Sequence, residues 1–225
     1  MDDFLSNISI KINNDVYLKD PDSSELGKKI ISGSIDLIDD IGYEQFTFKK
    51  LATQIGSTEA SVYRYFDSKQ HLLVYIILWY WSWMEYRLVF RLVNIECPEK
   101  RLEIAIKTLT EQIQEDSDFS HINEIKLNRI VISDSSKIYF NKNVEEENSA
   151  GFFLKYKGLV QRVSDIILEI KPQFKYPHML VSTIIEGAHH QRFFAEHLPR
   201  LTDFIENEDA VTSFYKEMAF RLLKD

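Results

Sequence analysis

Cysteine is almost missing from this chain of 225 residues: Cys97 stands alone, so no internal disulfide can form and no thiolate cluster can hold a metal. A reducing compartment fits. Seven glycines and five prolines are too few to interrupt the chain often, which favours long helical elements. Positive charge is also short, with 27 Lys and Arg against 35 Asp and Glu and a net charge of −8. The amino terminus, MDDFLSNISIKINNDVYLKD, carries acids where a signal peptide carries bases and has no apolar stretch of the required length, so a cytoplasmic protein is expected. Its one long apolar run, LLVYIILWYWSWM at 72–84, ends at Glu85 and Arg87, well short of the roughly 20 residues that span a bilayer. It reads as a buried helix. What the chain does have is apolar material, 44% of residues with 13% aromatic, enough for one large or two modest cores of a soluble globular protein.

Residues 1–22 lack periodicity and predict a flexible acidic and polar arm, taken as 1–23. From Ser24 the pattern changes: Leu26, Ile30, Ser34, Leu37, Ile38 and Ile41 recur at steps of three and four, one buried helical face, stopped by Gly42. Thr47 can cap a second short helix carrying Phe48, Leu51, Ala52 and Ile55, ended by Gly56, and Thr58 a third through about Tyr65. A fourth starts after Asp67 or Ser68 and can run to about Val93. Further helices are expected at about 98–115, 120–133, 150–171, 177–197 and 208–223. The polar run between Ser133 and Ser149 reads as a connection with one helical turn.

Ala52, Gly56 and Val62 have the spacing of a helix-turn-helix: a small residue for close approach, a Gly for the turn, an aliphatic to lock the second helix. Spacing of this kind occurs in many helical hairpins. The surrounding string LIDDIGYEQFTFKKLATQIGSTEASVYRYFDSKQHLL is more specific. Through Leu37-Ile38, Gly42, Phe46-Thr47, Leu51-Ala52, Ile55-Gly56, Tyr63, Tyr65-Phe66, Ser68-Lys69 and Leu72, residues 26–73 resemble the amino-terminal domain of the TetR/AcrR family of bacterial transcriptional regulators. The resemblance implies an all-α fold: a three-helix DNA-binding head (24–70) joined by a long fourth helix to a helical ligand-binding and dimerisation body (71–225). It also implies double-stranded operator DNA and a homodimeric partner, with no membrane and no cofactor.

On that expectation Thr47 either caps its helix or also meets a phosphate, and Thr58 caps the reading helix. Glu59, Ala60, Ser61 and Arg64 would face the groove, with Val62 and Phe66 inward. Arg64 is the candidate for bidentate contact to guanine. The resemblance places Tyr63 and Tyr65 near the sugar-phosphate backbone and Lys69 on a phosphate; core packing is the alternative for Tyr65. Glu59 can accept from cytosine or simply favour a helix amino terminus by its charge. Residues 28–69 balance six bases (Lys28, Lys29, Lys49, Lys50, Arg64, Lys69) against six acids (Asp36, Asp39, Asp40, Glu44, Glu59, Asp67), which predicts weak nonspecific binding.

In the body, Trp83, Tyr86, Phe90, Phe152, Phe153 and Tyr156 are candidates to line a cavity for a small apolar or amphipathic ligand, against ordinary core packing. Glu186, His189, His190 and His197 invite a metal reading, but only one Glu-x-x-His pair is present where a di-iron bundle needs several, so no metal site is assigned. An interface helix is preferred: Gly187 and Ala188 for close approach, Phe193 and Phe194 for area, joined by Phe214 and Met218 of 210–223 in the two-fold four-helix seam that the resemblance implies. No Gly-rich phosphate loop and no Ser or Cys nucleophile elbow points to an enzyme. The function expected is a ligand-responsive regulator, a repressor released from its operator. The alternative is a helical small-molecule-binding or adaptor protein with a degenerate DNA-binding head.

Overall fold

The computed structural model of the protein describes residues 10–115, 119 and 121–224. Among these there is no strand, and the α-helices are α1 (Glu25–Ile41), α2 (Phe48–Gln54), α3 (Glu59–Tyr63), α4 (Lys69–Leu92), α5 (Pro98–Thr110), α6 (Glu124–Asp134), α7 (Ser136–Tyr139), α8 (Val144–Ser149), α9 (Leu154–Ile170), α10 (Pro177–His197) and α11 (Ala210–Leu223). Packing divides the chain into two units: residues through Ser82 with Ile113–Leu154, and Trp83–Gln112 with Lys155–Asp225. No described helix is long and apolar enough to cross a membrane.

In the first unit, hydroxyl and glycine signals set the helix ends. Ser24 caps α1 by accepting from the Gly27 N–H at 3.1 Å, and Gly42, at φ 77°, closes it by donating to the Ile38 carbonyl. Ile30, Ile31, Ile35 and Ile38 form the buried face between. Gly33 permits the approach of α2, because a Cβ there would stand 2.5 Å from Ile55 Cγ2. The apolar run 72–84 is buried throughout on α4.

Two stretches differ from the sequence expectation. Only residues 10–23 of the expected loose arm are described, and they are packed: Ile10, Val16 and Pro21 are buried, and two 3₁₀ turns, Asn14–Val16 and Pro21–Ser23, are capped by Asn13 and Asp20. Short capped turns bury single side chains without any period, so no helical or strand pattern announced them. Likewise the connection after Ser133 contains two short helices, α7 and α8, rather than one turn.

The Pro21 backbone lies so close to Gly27 that any Cβ there would collide with it. Gly27→Ala is therefore expected to destabilise the protein by about 1–3 kcal/mol through overpacking, more than the ~1 kcal/mol alanine gains as a helix former. Urea unfolding measures it; an unchanged midpoint would show that the Pro21 backbone yields freely.

The second unit packs α5, α9, α10 and α11. Arg192 of α10 donates to the Thr110 carbonyl at the end of α5 and to Asp209, which caps α11 through the Thr212 N–H. Arg101 pairs with Glu169, and Lys216 with Glu103 at 3.2 Å. Here α5 stops at Thr110 and α9 starts at Leu154, inside the expected ranges.

Candidate functional site

The α2–turn–α3 segment is built as its spacing requires. Ala52 and Val62 are buried, Gly56 takes φ 65°, and the Ser57 N–H donates to the Ala52 carbonyl at 2.8 Å, tying the turn to α2. Thr47 and Thr58 cap α2 and α3, accepting from the backbone N–H groups of Lys50 and Ser61 at 3.2 Å each. Thr47, Thr58, Glu59, Ala60, Tyr63 and Arg64 are exposed, Ser61 is half-buried, and Val62 and Phe66 point inward. The exposed polar groups are linked: the Thr58 and Ser61 hydroxyls lie 2.9 Å apart, and Arg64 Nη2 donates to Ser61 Oγ at 3.2 Å. The Tyr63 ring meets the Phe48 ring edge-on at 4.9 Å, holding its phenol outward from α3.

Two residues are placed otherwise. Tyr65 is only 3% exposed, its hydroxyl 2.7 Å from Ser24 Oγ and its ring under the Lys19 ammonium, so it packs and its expected backbone contact is withdrawn. The Ser24 hydroxyl holds the Tyr65 phenol below its ordinary pKa, with Lys19 and Arg64 adding to the effect. Lys69 is half-buried, with Nζ 3.3 Å from the Tyr43 carbonyl, 3.4 Å from those of Glu44 and Phe46, and 4.6 Å from the Tyr43 ring centroid. It holds the turn before Thr47. Burial, with Glu44 alongside, pushes the Tyr43 phenol up to about 12.

The balanced charge of the head is resolved by partners that the motif did not include. Asp36 pairs with Lys126 at 2.5 Å, Asp39 with Arg129 through two bonds of 2.7 and 2.6 Å, and Glu44 with Lys137 at 2.5 Å. Three acids of the head thus meet bases of α6 and α7, while Lys49 and Arg64 stay exposed. Sequence separations of 90 to 93 residues hid these pairs; the run of bases at Lys126, Arg129 and Lys137 was the available signal.

A family model for the bacterial regulatory proteins of the tetR family matches residues 30–76, the stretch from α1 through the start of α4. Residues 30–76 therefore carry the amino-terminal domain of tetR-type bacterial regulatory proteins. Regulators of the TetR family are generally not enzymes. Among solved structures, the chain is similar to AibR in complex with isovaleryl coenzyme A and operator DNA, at 15% identity over 87% of this chain and 98% of that one, with a TM-score of 0.57. FadR from Bacillus subtilis in complex with stearoyl-CoA gives 14% identity, 87% and 97% coverage, and a TM-score of 0.58. The superantigen PfiT gives 12% identity, 90% and 97% coverage, and a TM-score of 0.59. Such identities establish a shared fold across the TetR-like chain and nothing finer. No curated protein sequence matches it.

The expected ligand-lining residues are divided between the two units. Trp83 is buried with Arg87 4.6 Å over its ring, Tyr86 stacks on Phe90, and the Tyr156 hydroxyl donates to Glu186 at 2.8 Å, all in the second unit. Phe152 and Phe153 belong to the first unit, buried against His71 and Tyr139 respectively. Phe90 is 68% exposed, so it lines no enclosed cavity within the chain. Of the expected seam, Ala188 is buried and Gly187 accommodates the Tyr215 hydroxyl of α11, which a Cβ would strike; these two serve packing within the chain. Phe193 and Phe214 are exposed, and Phe194 and Met218 half-buried.

Among the described residues no three His, Cys, Asp or Glu side chains gather as a metal-binding group. His189 is instead a core histidine: burial, with His190 next to it, pushes its imidazole down to about 4. Because the folded value lies below that of the unfolded chain, stability is full above the unfolded pKa of 6.5 and is lost as pH falls toward 4. Between about pH 7 and about pH 5 this amounts to about 2 kcal/mol. His189→Asn should flatten that part of the melting-temperature profile; parallel wild-type and variant curves would refute the assignment.

Proposed function

We propose that this chain is a TetR-family regulator: a cytoplasmic, homodimeric, ligand-responsive repressor that acts by binding, not catalysis. Residues 24–70 read operator DNA, and residues 71–225 provide dimerisation and a site for a small apolar or amphipathic molecule. The observation that carries this reading is the exposed Thr58–Ser61–Arg64 ladder on a capped α3, in a head whose rear acids are neutralised from α6 and α7. Hydroxyls and a guanidinium already joined to one another lose little further freedom on meeting DNA. Thr47, Thr58, Ser61 and Tyr63 contact the backbone, Arg64 reads guanine, and Ala60 lets the groove floor approach. Glu59 favours the helix start by its charge. Lys69 serves the phosphates indirectly, by holding the turn that presents Thr47.

Each protomer places one α3 in the major groove, the half-sites lying about one helical turn or a little more apart. Phe193, Phe194, Phe214 and Met218 supply the seam. A ligand favouring one body conformation shifts the dimer away from the operator-competent state by its differential affinity for the two. Because two structural relatives were solved with acyl thioesters of coenzyme A, isovaleryl-CoA and stearoyl-CoA are the first molecules to try.

The test is direct. Light scattering should give a dimer, and fluorescence anisotropy should show salt-sensitive binding to the promoter of its own or a neighbouring operon, reversed by one of these ligands. A stable monomer without DNA binding at micromolar concentration would sink the reading.

A further inference from the structure

The packed amino-terminal segment touches the reading helix at its exit. The Leu18 N–H donates to the Tyr65 carbonyl at 2.8 Å, and Ser24 Oγ lies 2.7 Å from the Tyr65 hydroxyl, so residues 18–24 grip Tyr65 at both backbone and side chain. The segment is itself anchored. Val16 is fully buried, the Tyr17 ring meets Tyr75 edge-on at 5.9 Å, Asn13 donates to the Ala150 carbonyl at 2.7 Å, and Pro21 lies against Gly27 of α1. Between these anchors Lys19 is exposed, its Nζ 5.0 Å from the centroid of the Tyr65 ring. Tyr65 directly follows Arg64, and both cations bear on the same phenol. Among the described residues no carboxylate stands within ion-pair distance of Lys19. The neighbouring Asp20 is turned into its own 3₁₀ turn, accepting from the Asp22 N–H at 2.9 Å.

We propose that residues 16–24 form a strap that fixes the exit of the reading helix and presents Lys19 to a DNA phosphate beside the bases read by Arg64. The strap lies outside residues 30–76, the segment matched by the family model. An ammonium held on an aromatic ring by a strap with two buried anchors is placed before DNA arrives, and the contact costs little side-chain ordering. Where residues 28–69 balance six acids against six bases, a further cation from outside that segment adds to the small phosphate-binding set.

The inference rests on the DNA-binding reading above, and the experiment separates the two. Wild type, Lys19→Gln, Lys19→Arg and Arg64→Ala are titrated into the promoter duplex and an unrelated duplex by fluorescence anisotropy at two salt concentrations, with thermal melts in parallel. One lost phosphate contact removes about one released counterion. The ratio of wild-type to Lys19→Gln affinity should therefore shrink by about 3.5-fold between about 50 and about 200 mM salt. The loss should be the same on both duplexes, Lys19→Arg should bind as wild type does, and the melting temperatures should coincide. If Lys19→Gln binds like wild type while Arg64→Ala fails, the phosphate contact is wrong and the DNA reading stands. A Lys19→Gln defect with an unchanged salt slope assigns the strap a purely structural role and overturns the proposal. Wild type that binds neither duplex overturns both.

Discussion

Arg64→Ala should leave the fold intact and remove about 1–3 kcal/mol of discrimination at one base pair of each half-site, a loss of about 5- to 150-fold in preference for the operator. The side chain is exposed, follows the last residue of α3, and is braced by a single hydrogen bond to Ser61, so truncation opens no cavity. Arg64→Lys should fail nearly as badly, because an ammonium cannot reproduce the planar fork that meets guanine O6 and N7 together. The measurement is a set of operator duplexes altered one base pair at a time. Wild type should lose affinity sharply at one position where the variant is indifferent. Equal losses on operator and unrelated DNA would make Arg64 a phosphate contact and remove it from sequence reading.

The larger effect is expected from the seam. Phe193 and Phe214 are 37% and 58% exposed on α10 and α11, so replacing both with Asp should spare the monomer's core while placing charge in the middle of the proposed two-fold contact. Light scattering should then report half the mass. Operator affinity should fall by about 10²–10⁴-fold, since the second head no longer binds at the high effective concentration that linkage provides. A double variant that remains dimeric would move the interface elsewhere. A monomer with undiminished operator affinity would contradict the two-half-site docking. Gly187→Ala is a contrasting control: its Cβ would strike Tyr215 within the same chain, so it should lower stability rather than shift the dimer equilibrium.

How much of this was legible depends on the range of the interaction concerned. Ser24, Gly42, Thr47, Gly56 and Thr58 each act on backbone groups within a few residues, and each marks a helix end in the structure close to the one read from sequence. Ala52 and Val62 could be matched by spacing for the same reason. Tyr65 could not, because whether an aromatic beside a reading helix faces phosphate or core depends on the segment laid over it. Here that segment belongs to residues with no period at all. Gly187 makes the same point from the other side: a small residue announces a close approach without saying which helix approaches, and α11 of the same chain takes the place.

Charge divides along this line too. Composition shows an acidic chain in which residues 28–69 hold equal numbers of acids and bases, which suggests a poor partner for DNA. The structure distributes those acids, setting Asp36, Asp39 and Glu44 against Lys126, Arg129 and Lys137. By itself, then, the sequence determined the all-helical class, the helix boundaries of the head and the helix-turn-helix, because periodicity, caps and turns are local. Only the tertiary structure decided that residues 10–23 pack rather than hang loose, that residues 113–154 pack in the same unit as the head, and which acids of the head are paired. Those outcomes rest on pairings between segments far apart in the chain, selected by burial and shape, which no spacing rule carries.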